Sequence, residues 1–101
     1  MKETGRCLHI LSRLPEHAGF DQCLYYLESG DGLLLIEDAV IIATRQDFMK
    51  KCLLATGELW CLAPDLAARG LTGKCLPEFS PIEYPEFVAL TLEFDKVQTW
   101  L

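Results

Sequence analysis

The stretch Gly30-Asp31-Gly32-Leu33-Leu34-Leu35-Ile36-Glu37-Asp38 decides the fold. Leu33 to Ile36 is apolar at every position and lacks the alternation of a strand with one wet face, so both faces must be covered. Such strands belong to parallel sheets flanked by helices. Gly30-Asp31-Gly32 turns the chain into the strand, and Glu37-Asp38 stops it at its carboxyl end.

Working outward, Arg6-Cys7-Leu8-His9-Ile10-Leu11 reads as a preceding strand, followed by a loop marked by Pro15 and Gly19. Phe20 to Ser29 reads as a helix, because Phe20, Cys23, Leu24 and Leu27 fall at i, i+3, i+4 and i+7. On the other side, Ala39 to Thr44 is apolar and fits either a short strand or a helical turn. Gln46 to Ala55 reads as a helix with Phe48, Met49, Cys52 and Leu53 on one side, and Gly57 ends it. Leu59-Trp60-Cys61-Leu62 is the next strand, and Pro64 opens a short helix. Gly70 suits the left-handed position after that helix, with Leu71 folding back on Leu66. Ile82-Glu83-Tyr84 reads as a short last strand. Pro85 starts a final helix in which Phe87, Leu90, Phe94 and Val97 recur at roughly helical spacing. Strands alternating with helices predict a single α/β domain over 1–101, with a mainly parallel sheet of four to five strands flanked by helices.

The chain has 101 residues, half of them apolar and 18 of them leucine, enough for one substantial core and too few for two. Asp and Glu number 15 against 9 Lys and Arg, a net charge of −6 that argues against direct nucleic-acid binding. No apolar run approaches the roughly 20 residues of a membrane span. Met1-Lys2-Glu3-Thr4-Gly5 has no apolar leader segment, so a soluble cytoplasmic protein is expected.

The cysteines are at 7, 23, 52, 61 and 75, with no C-x-x-C pair. A zinc knuckle or dithiol motif needs such close spacing, and a chain able to build a core needs no disulfide scaffold. Free thiols are expected: Cys7 and Cys61 in strands, Cys52 on a helix, and Cys75 exposed among turn residues. Cys23 is the candidate nucleophile. Placed in the first turn of its helix, its thiol would be acidified by free N–H groups, although Asp21 opposes the anion and the position also fits the apolar stripe. No phosphate-binding glycine loop, nucleophile elbow or His-based metal spacing occurs, so no metal or cofactor is expected.

His9 has a structural reading, as a hydrogen-bonded histidine, and a functional one, lining a site or a subunit contact near the strand ends where ligands gather in parallel sheets. Glu37 and Asp38 sit at the corresponding end of the next strand, where they could receive a basic partner. Asp38 better fits a cap on the following segment. Asp65 and Arg69 are spaced for an i, i+4 surface pair. Trp100 could anchor the tail on the body or on another subunit.

Leu8-His9, Gly30-Asp31-x-Leu33-Leu34-Leu35-x-Glu37-Asp38, Asp65-Leu66-x-Ala68-Arg69-Gly70-Leu71, Tyr84-x-x-Phe87-Val88-x-Leu90-Thr91 and Trp100 share an order and spacing. Together they make the chain, from residue 7 onward, resemble the DsrH/TusB family of sulfur-relay proteins. The resemblance implies a DsrE/DsrF-like α/β domain. It also implies a subunit of a hetero-oligomer of three related chains, two copies of each, with DsrE/TusD-like and DsrF/TusC-like partners and a downstream sulfur-carrier protein. Such complexes pass persulfide sulfur toward 2-thiolation of the tRNA wobble uridine or into dissimilatory sulfur oxidation. The principal acceptor cysteine is implied to lie on the DsrE/TusD-like partner. Two departures stand out. Ala39 replaces the usual glycine after the acidic pair, and Cys23 falls where DsrH-like members carry a cysteine, which leans toward the oxidation branch. Three readings follow: a shaping subunit of a sulfurtransferase complex, a stand-alone persulfide acceptor using Cys23, and a homo-oligomeric structural module.

Overall fold

The structure, a computed structural model, describes residues 5–100. Five strands, β1 (Cys7–Leu11), β2 (Gly32–Leu35), β3 (Glu58–Leu62), β4 (Ser80–Ile82) and β5 (Lys96–Trp100), form one sheet in the order β4-β3-β2-β1-β5. Every neighbouring pair is parallel. Four α-helices connect them: α1 (Ala18–Tyr26), α2 (Gln46–Ala55), α3 (Ala63–Ala68) and α4 (Tyr84–Glu93). A 3-10 helix (Glu37–Thr44) precedes α2. This settles the undecided 39–44 segment as helical. The segment of Met1 to Thr4, read for a leader, lies outside the described residues.

β2 is central, and its side chains divide between two cores, as its unbroken apolarity requires. Leu33 and Leu35 pack with Phe20, Cys23, Val40, Met49, Cys52 and Leu66 from the α1–α3 side. Leu34 packs with Leu8, Ile10, Leu62, Ile82, Leu90 and Phe94 under α4. Full burial of each leucine contributes roughly 1.5–3 kcal/mol. The close fit leaves Gly32 no room for a side chain, since a Cβ there would lie 2.6 Å from the Trp60 ring and 2.7 Å from that of Phe94.

Three crossovers step the chain from β1 to β4 with their helices on one face. The fourth runs back beneath the sheet through α4 and places β5 beside β1. Parallel crossovers keep one hand, so reversing direction moves the helix to the opposite face. This return corrects the predicted C-terminus. Val97 does not continue the last helix, and Ile82 does not belong to the last strand. α4 ends at Glu93, and Val97 pairs with Leu8 within β5. Phe87, Leu90 and Phe94 pack in the core under α4, whereas Val97 is exposed on β5 and shares only the spacing of that stripe.

Local signals place the helix ends. α3 closes as expected from Gly70: its φ is 70°, Leu71 N–H donates to Leu66 O at 2.8 Å and Gly70 N–H to Ala67 O at 3.1 Å. α4 opens with a reciprocal capping box between Glu83 and Glu86. α1 opens at His17, whose Nδ1 accepts from Gly19 N–H at 3.1 Å, so it begins before the predicted Phe20.

Candidate functional site

The reversal that produces β5 also produces the site. β5 lies at the edge of the sheet, and its α1-facing side chains Lys96, Gln98 and Trp100 stay exposed or half-buried beside the buried Cys7 and His9 of β1. In-register pairing brings Lys96 beside Cys7, Gln98 beside His9 and Trp100 beside Leu11. An open groove of about 460 Å³ results, lined by these β5 residues, Cys7, His9, Tyr26, Glu28 and Asp31.

A hydrogen-bonded network runs through the groove. Asp31 is 2% exposed. Its Oδ1 accepts from Cys7 N–H at 3.0 Å, and its Oδ2 accepts from Glu28 N–H at 3.1 Å. His9, 4% exposed, places Nε2 3.2 Å from the same Oδ2. Trp100 Nε1 donates to His9 Nδ1 at 3.1 Å. An indole N–H can only donate, so Nδ1 must carry the lone pair and Nε2 the proton, which it gives to Asp31. The network therefore selects the neutral Nε2–H tautomer. With both nitrogens engaged, His9 braces β5. Trp100 also stacks on Tyr26, with ring centroids 5.6 Å apart. Aromatic faces, the Gln98 amide and the Lys96 ammonium remain as the groove's recognition groups.

Of the sequence-predicted site residues, His9 and Trp100 come together here. Glu37 and Asp38 do not line this groove. Glu37 N–H donates to Asp65 Oδ2 at 2.6 Å, and Asp38 pairs with Arg69 at 3.0 Å. Asp38 caps nothing: the 3-10 helix begins after Ile36 without a side-chain cap. The expected Asp65–Arg69 side-chain pair is likewise replaced, since Arg69 reaches Asp38 and Asp65 holds the backbone of Glu37. The turn after β2 is made by Glu37 itself, whose φ of 51° is left-handed, and not at Ala39.

Cys23 does not meet the premises of the nucleophile reading. Because α1 starts at Ala18, Cys23 lies in the second turn, beyond the free N–H groups. It is 0% exposed, and burial, reinforced by Cys52 and Cys7 nearby, pushes its thiol up to about 12. Burial also pushes Cys52 up to about 12. Cys75 is half-buried, and the other four cysteines are buried. In the native protein an alkylating reagent should therefore modify Cys75 orders of magnitude faster than Cys23 or Cys52, as mapped by mass spectrometry. Rapid native labelling of Cys23 would contradict this burial.

Sequence reasoning missed Asp31 and the two residues of α1's exit, Tyr26 and Glu28. The available signal was an acidic residue between two glycines at the mouth of a fully apolar strand.

Fold and groove together define a one-domain, all-parallel α/β protein with an open cleft beside its last strand. A family profile described as DsrH like protein matches residues 15–97. Protein TusB of Pectobacterium parmentieri is 38% identical over 94 residues, covering 92% of this chain and 99% of that protein. Protein TusB of Pectobacterium atrosepticum is 40% identical and that of Shigella flexneri 37%, with the same coverage. The chain belongs to the DsrH-like family. Among solved structures, the ychN protein from E. coli superposes with a TM-score of 0.74 over 96% of this chain and 99% of that one. At 14% identity this likeness speaks for the fold alone. Among the described residues, no helix is long and apolar enough to cross a membrane.

Proposed function

We propose that the chain is the TusB-type subunit of a hetero-oligomeric sulfur relay in the cytoplasm. It packs against DsrE/TusD-like and DsrF/TusC-like chains and helps shape the site of a persulfide-bearing cysteine on a partner. The observation carrying this reading is similarity to TusB proteins over nearly the whole chain. The burial of Cys23 adds to it, because a carrier thiol must be reachable as a thiolate. The same relatives favour tRNA wobble-uridine 2-thiolation over sulfur oxidation. The net charge of −6 suits protein partners and a downstream carrier better than direct tRNA contact.

An apolar stripe on α4 supports assembly. Tyr84, Val88 and Leu92 lie at i, i+4 and i+8 on the face turned away from the core, and all three are exposed. Native mass spectrometry after co-expression with the two related subunits tests the reading: a mixed assembly is expected, and a persistent lone monomer or a homo-oligomer would refute it. Leu92→Glu should weaken that assembly by at least about tenfold, as expected for charging an apolar anchor, while leaving the monomer's unfolding midpoint nearly unchanged. Deletion should abolish the thiolated wobble uridine. Normal thiolation with impaired sulfur oxidation would favour the oxidation branch. After loading with a sulfur donor, a one-sulfur mass increment on Cys23 would restore the stand-alone acceptor reading.

A further inference from the structure

Cys61 and Cys75 were read from the sequence as unrelated free thiols, and the groove network uses neither. The fold brings their sulfurs to 3.5 Å. Cys61 is fully buried on β3, whereas Cys75 is half-buried in the segment between α3 and β4. Cys75 Sγ lies 3.4 Å from Leu76 O and 3.6 Å from Phe79 O, so its S–H has carbonyls to donate to, and Cys61 S–H can donate to Cys75. Cys75 is the thiol within reach of a solvent-borne disulfide, and the buried Cys61 stands behind it as a hydrogen-bond donor. Burial raises both thiols, and the bond from Cys61 pulls Cys75 back down while raising Cys61. This is the arrangement of an attacking sulfur backed by a resolving sulfur.

We propose that Cys75 and Cys61 form a dithiol site for small-molecule disulfides, with Cys75 attacking and Cys61 resolving. Cys75 thiolate attacks one sulfur of R–S–S–R; the S–S bond breaks, and one R–S⁻ leaves and takes up a proton. Cys61 then gives up its proton and attacks Cys75 Sγ, displacing the second R–S⁻, which is also protonated. The two cysteines are oxidised to one disulfide, and R–S–S–R is reduced to two thiols. The sulfurs must close from 3.5 Å to about 2.0 Å. Cys75 supplies most of that movement, because Cys61 is held in the sheet beside Leu35.

The site is not the groove: it lies against β3 and β4, toward the opposite edge of the sheet from β5. Closing it would tie the segment before β4 to the sheet, so the oxidised chain should resist urea better than the reduced one.

The test equilibrates the full chain with oxidised and reduced glutathione, quenches with acid and alkylating reagent, and maps the peptides by mass spectrometry. The expected product is a Cys61–Cys75 cross-link with the loss of two hydrogens, in a chain whose circular dichroism is unchanged. Cys61→Ala should instead accumulate glutathione on Cys75, and Cys75→Ser should leave Cys61 unmodified. A rapid-quench series on the unaltered chain, with the Cys75 adduct preceding the cross-link, gives the same decision if Cys61→Ala does not fold. A folded wild-type chain that keeps glutathione on Cys75, forms a different pair, or stays fully reduced across the series would overturn the proposal.

Discussion

Asp31→Ala is expected to lower the unfolding free energy by about 3–5 kcal/mol, since each buried donor left without an acceptor costs roughly 1–3 kcal/mol. Three donors lose their acceptor together: the buried Cys7 N–H and His9 Nε2–H, and the part-buried Glu28 N–H. Water entering from the open groove offsets part of the loss, which places the expectation at the low end of the simple sum. Small domains are stable by only about 5–15 kcal/mol, so the change takes a large share. Urea unfolding followed by tryptophan fluorescence measures it. Amide exchange at Cys7 and Glu28 should speed up more than at Leu34, which lies on the opposite face. Asp31→Asn should fall between the two, because its amide NH₂ must face at least one N–H donor. A loss under about 1 kcal/mol for Asp31→Ala would mean that the network does not hold β1 to the turn before β2.

The second large effect is alkaline. Cys23 and Cys52 are displaced from 9.0 to about 12, and Cys61 is pushed higher still, in each case chiefly by burial. Between pH 9 and 12 the folded chain therefore holds thiol protons that the unfolded chain has released. The side binding more protons is favoured at lower pH, so this contribution is fully present below pH 9 and is lost as pH rises toward 12. Each thiol adds a slope of about −1.4 kcal/mol per pH unit in that window. Three together should collapse the urea midpoint within one to two pH steps above 9. Cys52→Ala, somewhat less stable at pH 7 because of its cavity, should show a visibly shallower decline. An alkaline profile identical in the variant and the parent chain would refute the assignment to buried thiols.

The composition of Leu33-Leu34-Leu35 was enough to foretell a strand with two dry faces. From that strand the parallel sheet and the layered α/β architecture follow. The punctuation around it was equally readable: Gly70 after α3, Pro85 in the first turn of α4, and the bounds of α2, Gln46–Ala55. These features are local, since backbone preference and side-chain periodicity act within a few residues. What failed is where one local pattern has two tertiary outcomes. Val97 continues a helical stripe on paper and lies on an exposed edge strand in space, because the pairing of β5 with β1 is a long-range contact that local spacing does not encode.

The groove shows the same division. His9 and Trp100 were singled out one at a time, but their union depends on β5 returning beside β1, across nearly the full length of the chain. Asp31 looked like a turn residue, because its partners come from β1 and from the turn after α1. Cys23 changed character when α1 began two residues earlier than Phe20 and the core closed over it. Sequence alone determined which segments could be helix or strand and that a covered parallel sheet would join them, because those follow from periodicity and burial. Only the tertiary structure decided which edge β5 would occupy, which thiols lie out of reach, and which lone polar residues become one network, because each depends on contacts between segments whose separation no local pattern encodes.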